Sequence, residues 1–404
     1  MDQIPLPMSS PDLTDAEREA AGAVLRTPTL SMGGEIKAFE AEFQRYTGSL
    51  FTLGVSSGTA GLHLCVRAAG IKPGDLVITT PFSFVASANV LLYEQAIPIF
   101  VDVDPMTGNL DVEQVRRAAQ DLVTGGAEAS CWLPRLQATH CNRNGNLFST
   151  AERLKAILPV DVFGQPADMD AVFDVAQQFG LKVIEDSCEA LGAKYKGRKA
   201  GTLGDYGVYA FYPNKQITTG EGGMIVTNDE AAARMMLALR NQGRAPGDTW
   251  LQHTYMGYNY RLDEVSAAIG RIQMGRLEEL LVRREQVAAW YNQHLVEIPE
   301  VDRPHVATNT TRMSWFVYVI HLLPTLNRDL LAHALERRGI PVRPYFLPIH
   351  LQPYMIERFG YRQGDYPITE DLGRRGLALP FSGVMNEAQV DRVCTAIRET
   401  ILEI

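Results

Sequence analysis

The chain has 404 residues, of which 46% are hydrophobic and 21% charged. These values exclude a disordered chain and a small disulfide scaffold, and the length allows two or three domains. The 38 basic and 47 acidic residues give a formal net charge of −9, so a general electrostatic surface for nucleic acid or anionic lipid is absent. A local basic patch for a phosphorylated small molecule remains compatible with this charge.

The cysteine pattern and the apolar stretches bear on the cellular setting. The start, MDQIPLPMSSPDL, has neither the basic nor the apolar region of a signal peptide. No apolar stretch approaches the roughly 20 residues that a membrane span needs. No two of the five cysteines form a C-x-x-C pair, and they indicate no disulfide framework. We therefore expect a cytoplasmic protein without a membrane partner.

Predicted helices and strands alternate from about residue 14 to 240. Thr14-Asp-Ala-Glu17 is a capping box for a helix that runs to about Arg26, and residues 60–69 predict a second helix. Short β-branched runs predict strands at 76–79, 97–103, 157–162, 182–185, 207–211 and 224–227. This alternation is typical of a mostly parallel sheet with helices on both faces, whose catalytic groups gather at the carboxyl ends of the strands.

The pattern continues on a smaller scale towards the C-terminus. A long helix is predicted at about 262–295. A strand at 315–321, a helix at 329–338, a strand near Val342 and a helix at 387–399 follow it. We interpret the chain as a large α/β domain over 1–250 and a smaller C-terminal α/β domain over 251–404.

The segment 119–152 is longer than an ordinary connection between a helix and a strand. Asn-Arg-Asn-Gly at 142–145 is turn chemistry, so we expect a surface hairpin or flap. Cys131, His140 and Cys141 lie in this segment, but their spacing matches no standard zinc site and a fourth ligand is not evident. We expect no metal.

Two ionisable residues in the stretch 183–229 stand in unusual places. Asp186 ends a predicted buried strand, where a carboxylate needs a partner. Lys215 lies between a strand end and a Gly-rich turn, and a lysine packed against apolar walls becomes nucleophilic. A carboxylate for a pyridinium nitrogen and a lysine that forms an imine are the pair that pyridoxal 5'-phosphate (PLP) chemistry requires. Taken singly, Asp186 is equally typical of a turn cap and Lys215 of a solvated loop.

A candidate phosphate cradle precedes the helix at 60–69. Ser57, Gly58 and Thr59 stand where a loop enters that helix, and free backbone N–H groups at a helix start favour a phosphate. The hydroxyls of Ser57 and Thr59 add donors. Alone, this tripeptide is more often a plain helix cap.

Ordered blocks over nearly the whole chain resemble the DegT/StrS-type sugar aminotransferases, which are PLP enzymes of fold type I. The blocks are Gly33-Gly34-Glu35 with Phe39-Glu40, SSGTAGLHL at 56–64, TPFSFVASAN at 80–89, VDVDPMTGN at 101–109, VFGQPADMDA at 162–171, the stretch 183–229, GYNYRLDEVSAAIG at 257–270 and RPYFLPIHLQP at 343–353. The resemblance implies an aspartate-aminotransferase-like fold with a PLP-binding large domain.

The resemblance also implies residue roles. Lys215 would bind the cofactor covalently as an imine and later move protons, and Asp186 would keep the pyridine nitrogen protonated. Phe84 would stack on the cofactor ring, although a core aromatic is the plain alternative. Gly58 and Thr59 would hold the phosphate, mainly through backbone N–H groups.

The resemblance also implies a residue that acts in a second subunit, and this chain differs from the usual family sequence at two positions. Asn259 would reach the cofactor phosphate of the neighbouring subunit, which implies a homodimer with shared active sites; its plain alternative is a turn residue. The family usually has a phosphate-binding serine five residues before the lysine, where this chain has Ala210. Many members have Gln or His three residues after the aspartate, and this chain has Glu189 near the cofactor.

The expected reaction is a ping-pong transamination with glutamate as donor and a nucleotide-linked keto sugar as acceptor. The expected acceptor is an NDP-4-keto-6-deoxyhexose, which gives a 4-amino sugar for polysaccharide or glycoside biosynthesis, as in perosamine-type pathways. Arg261, Arg343, Tyr345 and His350 are candidates for binding the sugar nucleotide, with ordinary surface charge or loop packing as the alternative. A C-3 keto sugar, a keto-cyclitol or a non-catalytic PLP-binding regulator remain alternatives, whereas Lys215 argues against the related dehydratases that have His there.

Overall fold

The computed structural model describes residues 6–136 and 149–403. The strands are β1 Phe51–Val55, β2 Leu76–Thr79, β3 Ile97–Phe100, β4 Leu154–Leu158, β5 Lys182–Asp186, β6 Lys194–Tyr195, β7 Arg198–Lys199, β8 Tyr206–Ala210, β9 Gly223–Thr227, β10 Val301–Asp302, β11 Thr310–Arg312, β12 Tyr318–Leu322, β13 Arg343–Pro344 and β14 Gly376–Leu379. The helices are α1 Asp15–Leu25, α2 Gly34–Thr47, α3 Gly58–Ala68, α4 Ala86–Tyr93, α5 Val112–Thr124, α6 Gly126–Ser130, α7 Thr150–Arg153, α8 Met169–Phe179, α9 Glu230–Arg240, α10 Glu264–Gly275, α11 Leu277–Leu295, α12 Arg328–Arg337, α13 Pro353–Phe359, α14 Pro367–Arg375 and α15 Glu387–Glu403. None of the helices within these ranges has the length and apolar character that crossing a bilayer requires.

Seven strands form the main sheet in the order β1-β9-β8-β5-β4-β2-β3. The pairings from β8 through β3 are parallel, while β9 runs antiparallel to both β1 and β8. Strands β2, β3 and β9 are buried along their whole length, as expected for strands covered by helices on both faces. The predicted α/β fold with a mostly parallel sheet is confirmed.

The parallel pairing of β5 with β8 brings together the two predicted strand ends that carry chemistry. Asp186, the last residue of β5, lies opposite Val208 of β8. Ala210 ends β8, and the turn that holds Lys215 follows directly. Because the strands are parallel, both ends open onto the same edge of the sheet.

A second sheet lies in the C-terminal part, with the order β10-β12-β14-β13 and antiparallel pairings. Apolar residues of α11, α12 and α15 pack on it in one cluster, which Leu6 from the start of the chain joins. A short third sheet, β11-β6-β7, links the two parts of the chain. The division into domains at residue 250 stays a prediction, and Leu6 packs with residues that lie beyond that boundary.

Several predicted boundaries are wrong for identifiable reasons. The helix predicted at 262–295 is two helices, because Arg276 between α10 and α11 has φ −102° and ψ 3°. Its guanidinium lies 2.8 Å from carboxylate oxygens of both Asp12 and Glu17. The strand predicted at 157–162 ends at Leu158, where Pro159 follows and offers no N–H to a ladder.

The long segment 119–152 is partly helical. Helix α5 extends to Thr124, and the short helices α6 and α7 lie on either side of residues 137–148. The predicted hairpin or flap, together with His140 and Cys141, lies outside the described residues.

A buried carboxylate joins the start of α2 to the start of α10. Glu264, the first residue of α10, is 2% exposed. It accepts hydrogen bonds from the backbone N–H groups of Gly33 at 2.8 Å, Glu35 at 2.7 Å and Ile36 at 3.3 Å. Since the first N–H groups of a helix have no partner within it, Glu264 supplies the cap that the sequence of α2 lacks.

We expect Glu264→Ala to lower the free energy of unfolding by about 1–3 kcal/mol, because three backbone N–H groups lose their buried acceptor. Urea unfolding followed by circular dichroism measures the change. Glu387→Ala is the matched control, since Glu387 is the first residue of α15 and is exposed. Equal unfolding midpoints for the two variants would contradict the capping role.

Candidate active site

Asp186 lies at the carboxyl edge of the main sheet and is 5% exposed. Its Oδ2 accepts a hydrogen bond of 2.7 Å from the hydroxyl of Ser87 on α4. Its Oδ1 accepts one of 3.2 Å from the backbone N–H of Cys188. A buried carboxylate requires hydrogen-bond donors, and these two also fix its orientation.

The start of α3 forms the opposite wall. Ser57 is the N-cap, and its hydroxyl accepts from the backbone N–H of Ala60 at 3.1 Å. The N–H groups of Gly58 and Thr59 occupy the first turn, where a helix offers donors without internal partners. A Cβ on Gly58 would lie 2.7 Å from Sγ of Cys188 and 2.8 Å from Cβ of Ala210. Glycine therefore allows the helix start to approach the strand ends.

Lys215 reaches into the same space, and 12% of its side chain is exposed. Its Nζ lies 3.6 Å from Oε1 of Glu189 and 3.7 Å from the ring centroid of Phe316. The lysine thus has a carboxylate and an aromatic face as its immediate neighbours.

Glu189 is buried, and its Oε2 accepts a hydrogen bond of 2.9 Å from the backbone N–H of Phe163. Burial raises the pKa of the Glu189 carboxyl, while Lys215 and the Phe163 N–H oppose this shift. One oxygen of the Glu189 carboxyl therefore accepts a hydrogen bond from the main chain, and the other forms an ion pair with Lys215.

These groups line one cavity of about 420 Å³. Its lining includes Ser57, Gly58, Thr59, Phe84, Asp186, Glu189, Ala210, Lys215, Phe316, Tyr345 and Phe346. The cavity thus presents a helix start, a carboxylate, a lysine and aromatic faces in a space large enough for a small molecule.

The cavity fits PLP by the chemistry of its donors and acceptors. Backbone N–H groups at the start of α3 suit a phosphate, and Asp186 suits a protonated ring nitrogen. Oδ1 of Asn214, also in the lining, is buried and has no hydrogen-bond partner among the described residues. Phe84 lines the cavity and is 62% exposed, as expected of a ring that covers a ligand rather than a core. Ala210 offers no donor, so the hydroxyls of Ser57 and Thr59 are the nearby alternatives.

Four other predicted residues lie elsewhere, outside the lining of this cavity. Asn259 is exposed. Arg261 donates to Oδ1 of Asn241 at 2.9 Å and lines a separate, smaller cavity. Arg343 is exposed and donates to Glu336 at 3.2 Å. His350 is fully buried, and its Nε2 lies 2.9 Å from Oε1 of Glu370. His350 is absent from the lining of the cavity, and its contact with substrate stays a prediction.

Sequence reasoning missed Ser87 and Phe316. Ser87 lies four residues after Ser83, just before and within the start of α4, and this i, i+4 spacing in TPFSFVASAN is a signal for a polar face towards the site. Phe316 is about 100 residues from Lys215 along the chain, so only the tertiary fold brings its ring to Nζ.

The mostly parallel sheet with this cavity at its carboxyl edge is the fold type I arrangement of PLP-dependent aminotransferases, as the similar solved aminotransferase structures show. The chain matches the DegT/DnrJ/EryC1/StrS aminotransferase family over residues 11–398. It belongs to that family. The chain is therefore an aminotransferase, and PLP is its cofactor.

Similar proteins carry related names. A GDP-perosamine synthase of Caulobacter vibrioides is 37% identical over 98% of each chain. A UDP-N-acetyl-3-dehydro-alpha-D-glucosamine 3-aminotransferase of Acidithiobacillus ferrooxidans is 33% identical over 96% of this chain and 95% of its own. Among solved structures, DesV of S. venezuelae has a TM-score of 0.83 and 31% identity, with 98% of each chain covered.

We expect Gly58→Ala to weaken PLP binding about tenfold or more, because the added Cβ displaces the start of α3 from the strand ends. Titration of cofactor-free protein with PLP, followed by absorbance, measures the dissociation constant. Gly34→Ala is the matched control: Gly34 is also the first residue of a helix, and no atom lies within 4 Å of its Cβ position. Unchanged affinity in the Gly58 variant would argue against a phosphate site at this helix start.

Proposed function

We propose that the protein transfers the amino group of glutamate to a nucleotide-linked keto sugar. The observation that carries this proposal is the single cavity that joins Lys215, Asp186 and the first turn of α3. The names of the similar proteins support the acceptor class, because they contain a GDP-linked and a UDP-linked sugar. The GDP-perosamine synthase has the higher identity, which favours an NDP-4-keto-6-deoxyhexose and amination at C-4. Amination at C-3 is the second candidate, supported by the 3-aminotransferase.

Bound PLP supplies the electron sink that stabilises negative charge on the carbon gaining or losing the amino group. Lys215 would hold the cofactor through Nζ, and the same atom would serve as the proton donor and acceptor of the site. Asp186 holds the proton at the ring nitrogen of the cofactor. The hydroxyl of Ser87 keeps the Asp186 carboxylate in its plane during this work.

Glu189 orients the lysine in the proposed mechanism. Its Oε1 attracts Nζ, and the N–H of Phe163 keeps the carboxylate from turning away. The rings of Phe316, Tyr345 and Phe346 line the same cavity and exclude water from the reacting atoms. Of the residues predicted for the sugar nucleotide, Tyr345 alone lines this cavity in the described part of the chain.

The active unit in this proposal is a homodimer, with Asn259 reaching the cofactor phosphate of the neighbouring subunit. An exposed apolar stretch close to Asn259 supports a partner surface: Trp250 is 77% exposed, Leu251 83% and Met256 78%. Apolar side chains grouped in this way are typical of protein interfaces. The proposed location is the cytoplasm, which the four described cysteines, all free thiols, support.

We expect Lys215→Ala to lower turnover by about 10³-fold or more, because both covalent attachment and proton transfer are lost. The assay supplies glutamate with a panel of GDP-, UDP- and dTDP-linked 4-keto and 3-keto sugars and detects amino sugars by mass spectrometry. Lys72→Ala, which changes an exposed lysine outside the cavity, is the control. Turnover by the Lys215 variant at the wild-type rate would refute the role of the lysine.

The same assay separates an enzyme from a PLP-binding regulator. Glutamate alone should bleach the yellow colour of the wild-type holoenzyme as the amino group passes to the cofactor. A wild-type protein that binds PLP covalently but aminates none of the keto sugars would favour the regulator.

We expect mixed dimers of Lys215→Ala and Asn259→Ala chains to recover activity that neither variant has alone. If Asn259 serves the partner's site, one of the two sites in a mixed dimer contains neither change. Co-expression with two different affinity tags isolates the mixed dimer for the assay. No recovery would mean that Asn259 acts in its own chain or not at all.

A further inference from the structure

Arg284 on α11 is a buried cation that the proposed chemistry does not use. It is 4% exposed, and none of the ion pairs among the described residues involves it. Burial lowers the pKa of its guanidinium to about 10, so the group still carries its charge at neutral pH. A buried charge without a carboxylate partner is costly unless hydrogen bonds satisfy it.

Four backbone carbonyl groups satisfy this guanidinium. Nη2 donates to the carbonyl oxygens of Lys215 at 2.6 Å and Asn214 at 3.1 Å. Nη1 donates to those of Trp315 and Phe316, each at 3.2 Å. One planar group thus fixes two chain segments that are about 100 residues apart.

The two segments carry the lysine and the ring it contacts. Nζ of Lys215 lies 3.7 Å from the centroid of Phe316, and the same guanidinium holds the carbonyl groups of both residues. The planar guanidinium of arginine holds several N–H donors in fixed directions and can bind two pairs of carbonyl groups at once. The ammonium of a lysine, on a flexible chain, cannot replace it at all four.

We propose that Arg284 is a positioning residue that holds the backbone of Lys215 in register with Phe316, so that Nζ meets the carbonyl carbon of the cofactor. The inference rests on the proposed function of Lys215. It assigns the arginine no contact with substrate or cofactor. A displacement of the lysine by about 1 Å costs up to about a hundredfold in rate.

The test compares Arg284→Met and Arg284→Lys with Arg283→Met. Arg283 is the preceding residue on α11, but its side chain is 47% exposed and pairs with Asp12 and Glu279. The first readout is the rate at which cofactor-free protein attaches PLP covalently, measured by mass after borohydride reduction. The others are the pH midpoint of the absorbance change of the holoenzyme, and kcat and KM for glutamate.

We expect Arg284→Met to slow PLP attachment and to lower kcat about tenfold or more, with KM changed less than threefold and the pH midpoint shifted. Arg284→Lys should recover part of the attachment rate, because an ammonium reaches only some of the four carbonyl groups. Arg283→Met should match the wild type in every readout.

A lower melting temperature with wild-type attachment rate and pH midpoint would overturn the proposal, since the arginine would then be merely structural. If Arg284→Met does not fold, Arg284→Lys decides alone: an unchanged attachment rate overturns the inference and a slower one supports it. Failure of the wild-type protein to attach PLP at Lys215 would instead refute the proposed function, which separates the two failures.

Discussion

The site depends on bringing Asp186 and Lys215 into one cavity at the carboxyl edge of a mostly parallel sheet. Asp186 ends β5, and Lys215 lies in the turn after the neighbouring strand β8; the parallel pairing of the two strands brings both ends to the same edge. Both side chains are largely removed from solvent, and separate elements supply their polar partners: Ser87 from α4 for Asp186, and Glu189 from the loop after β5 for Lys215. The placement of α4 and of the loop after β5 therefore serves the site as well as the apolar core.

The position of the Lys215 side chain depends on residues outside the main sheet. Phe316 precedes β12 of the C-terminal sheet, and Arg284 belongs to a helix that packs on that sheet. The ring of Phe316 contacts Nζ of Lys215, and the guanidinium of Arg284 donates to the backbone carbonyl of Lys215. The C-terminal part therefore contributes to the position of Nζ as well as covering the cavity. A change in how the two parts pack would alter the lysine before it altered Asp186.

Local patterns in the sequence predicted the residues of the main sheet edge. Asp186 is predicted from a strand end, Lys215 from a nearby Gly-rich turn, and Gly58 from a capped helix start. Each of these signals lies within about ten residues of the residue it predicts. The residues that tertiary packing alone supplies were missed, because nothing near Arg284 or Phe316 in the chain marks them. His350 is a polar residue inside a family-like block that pairs with Glu370 in the core, and its substrate role stays a prediction.

The bridge made by Arg284 has a consequence for synthesis on the ribosome. The four carbonyl groups it holds belong to segments around residues 214 and 315, so the bridge cannot close until translation has passed Phe316. The sheet edge with Asp186 and the start of α3 is complete much earlier in the chain. A nascent chain that ends before residue 315 therefore contains Asp186, Lys215 and the start of α3 before Arg284 can join Lys215 to Phe316, and that bridge forms only in the last quarter of translation.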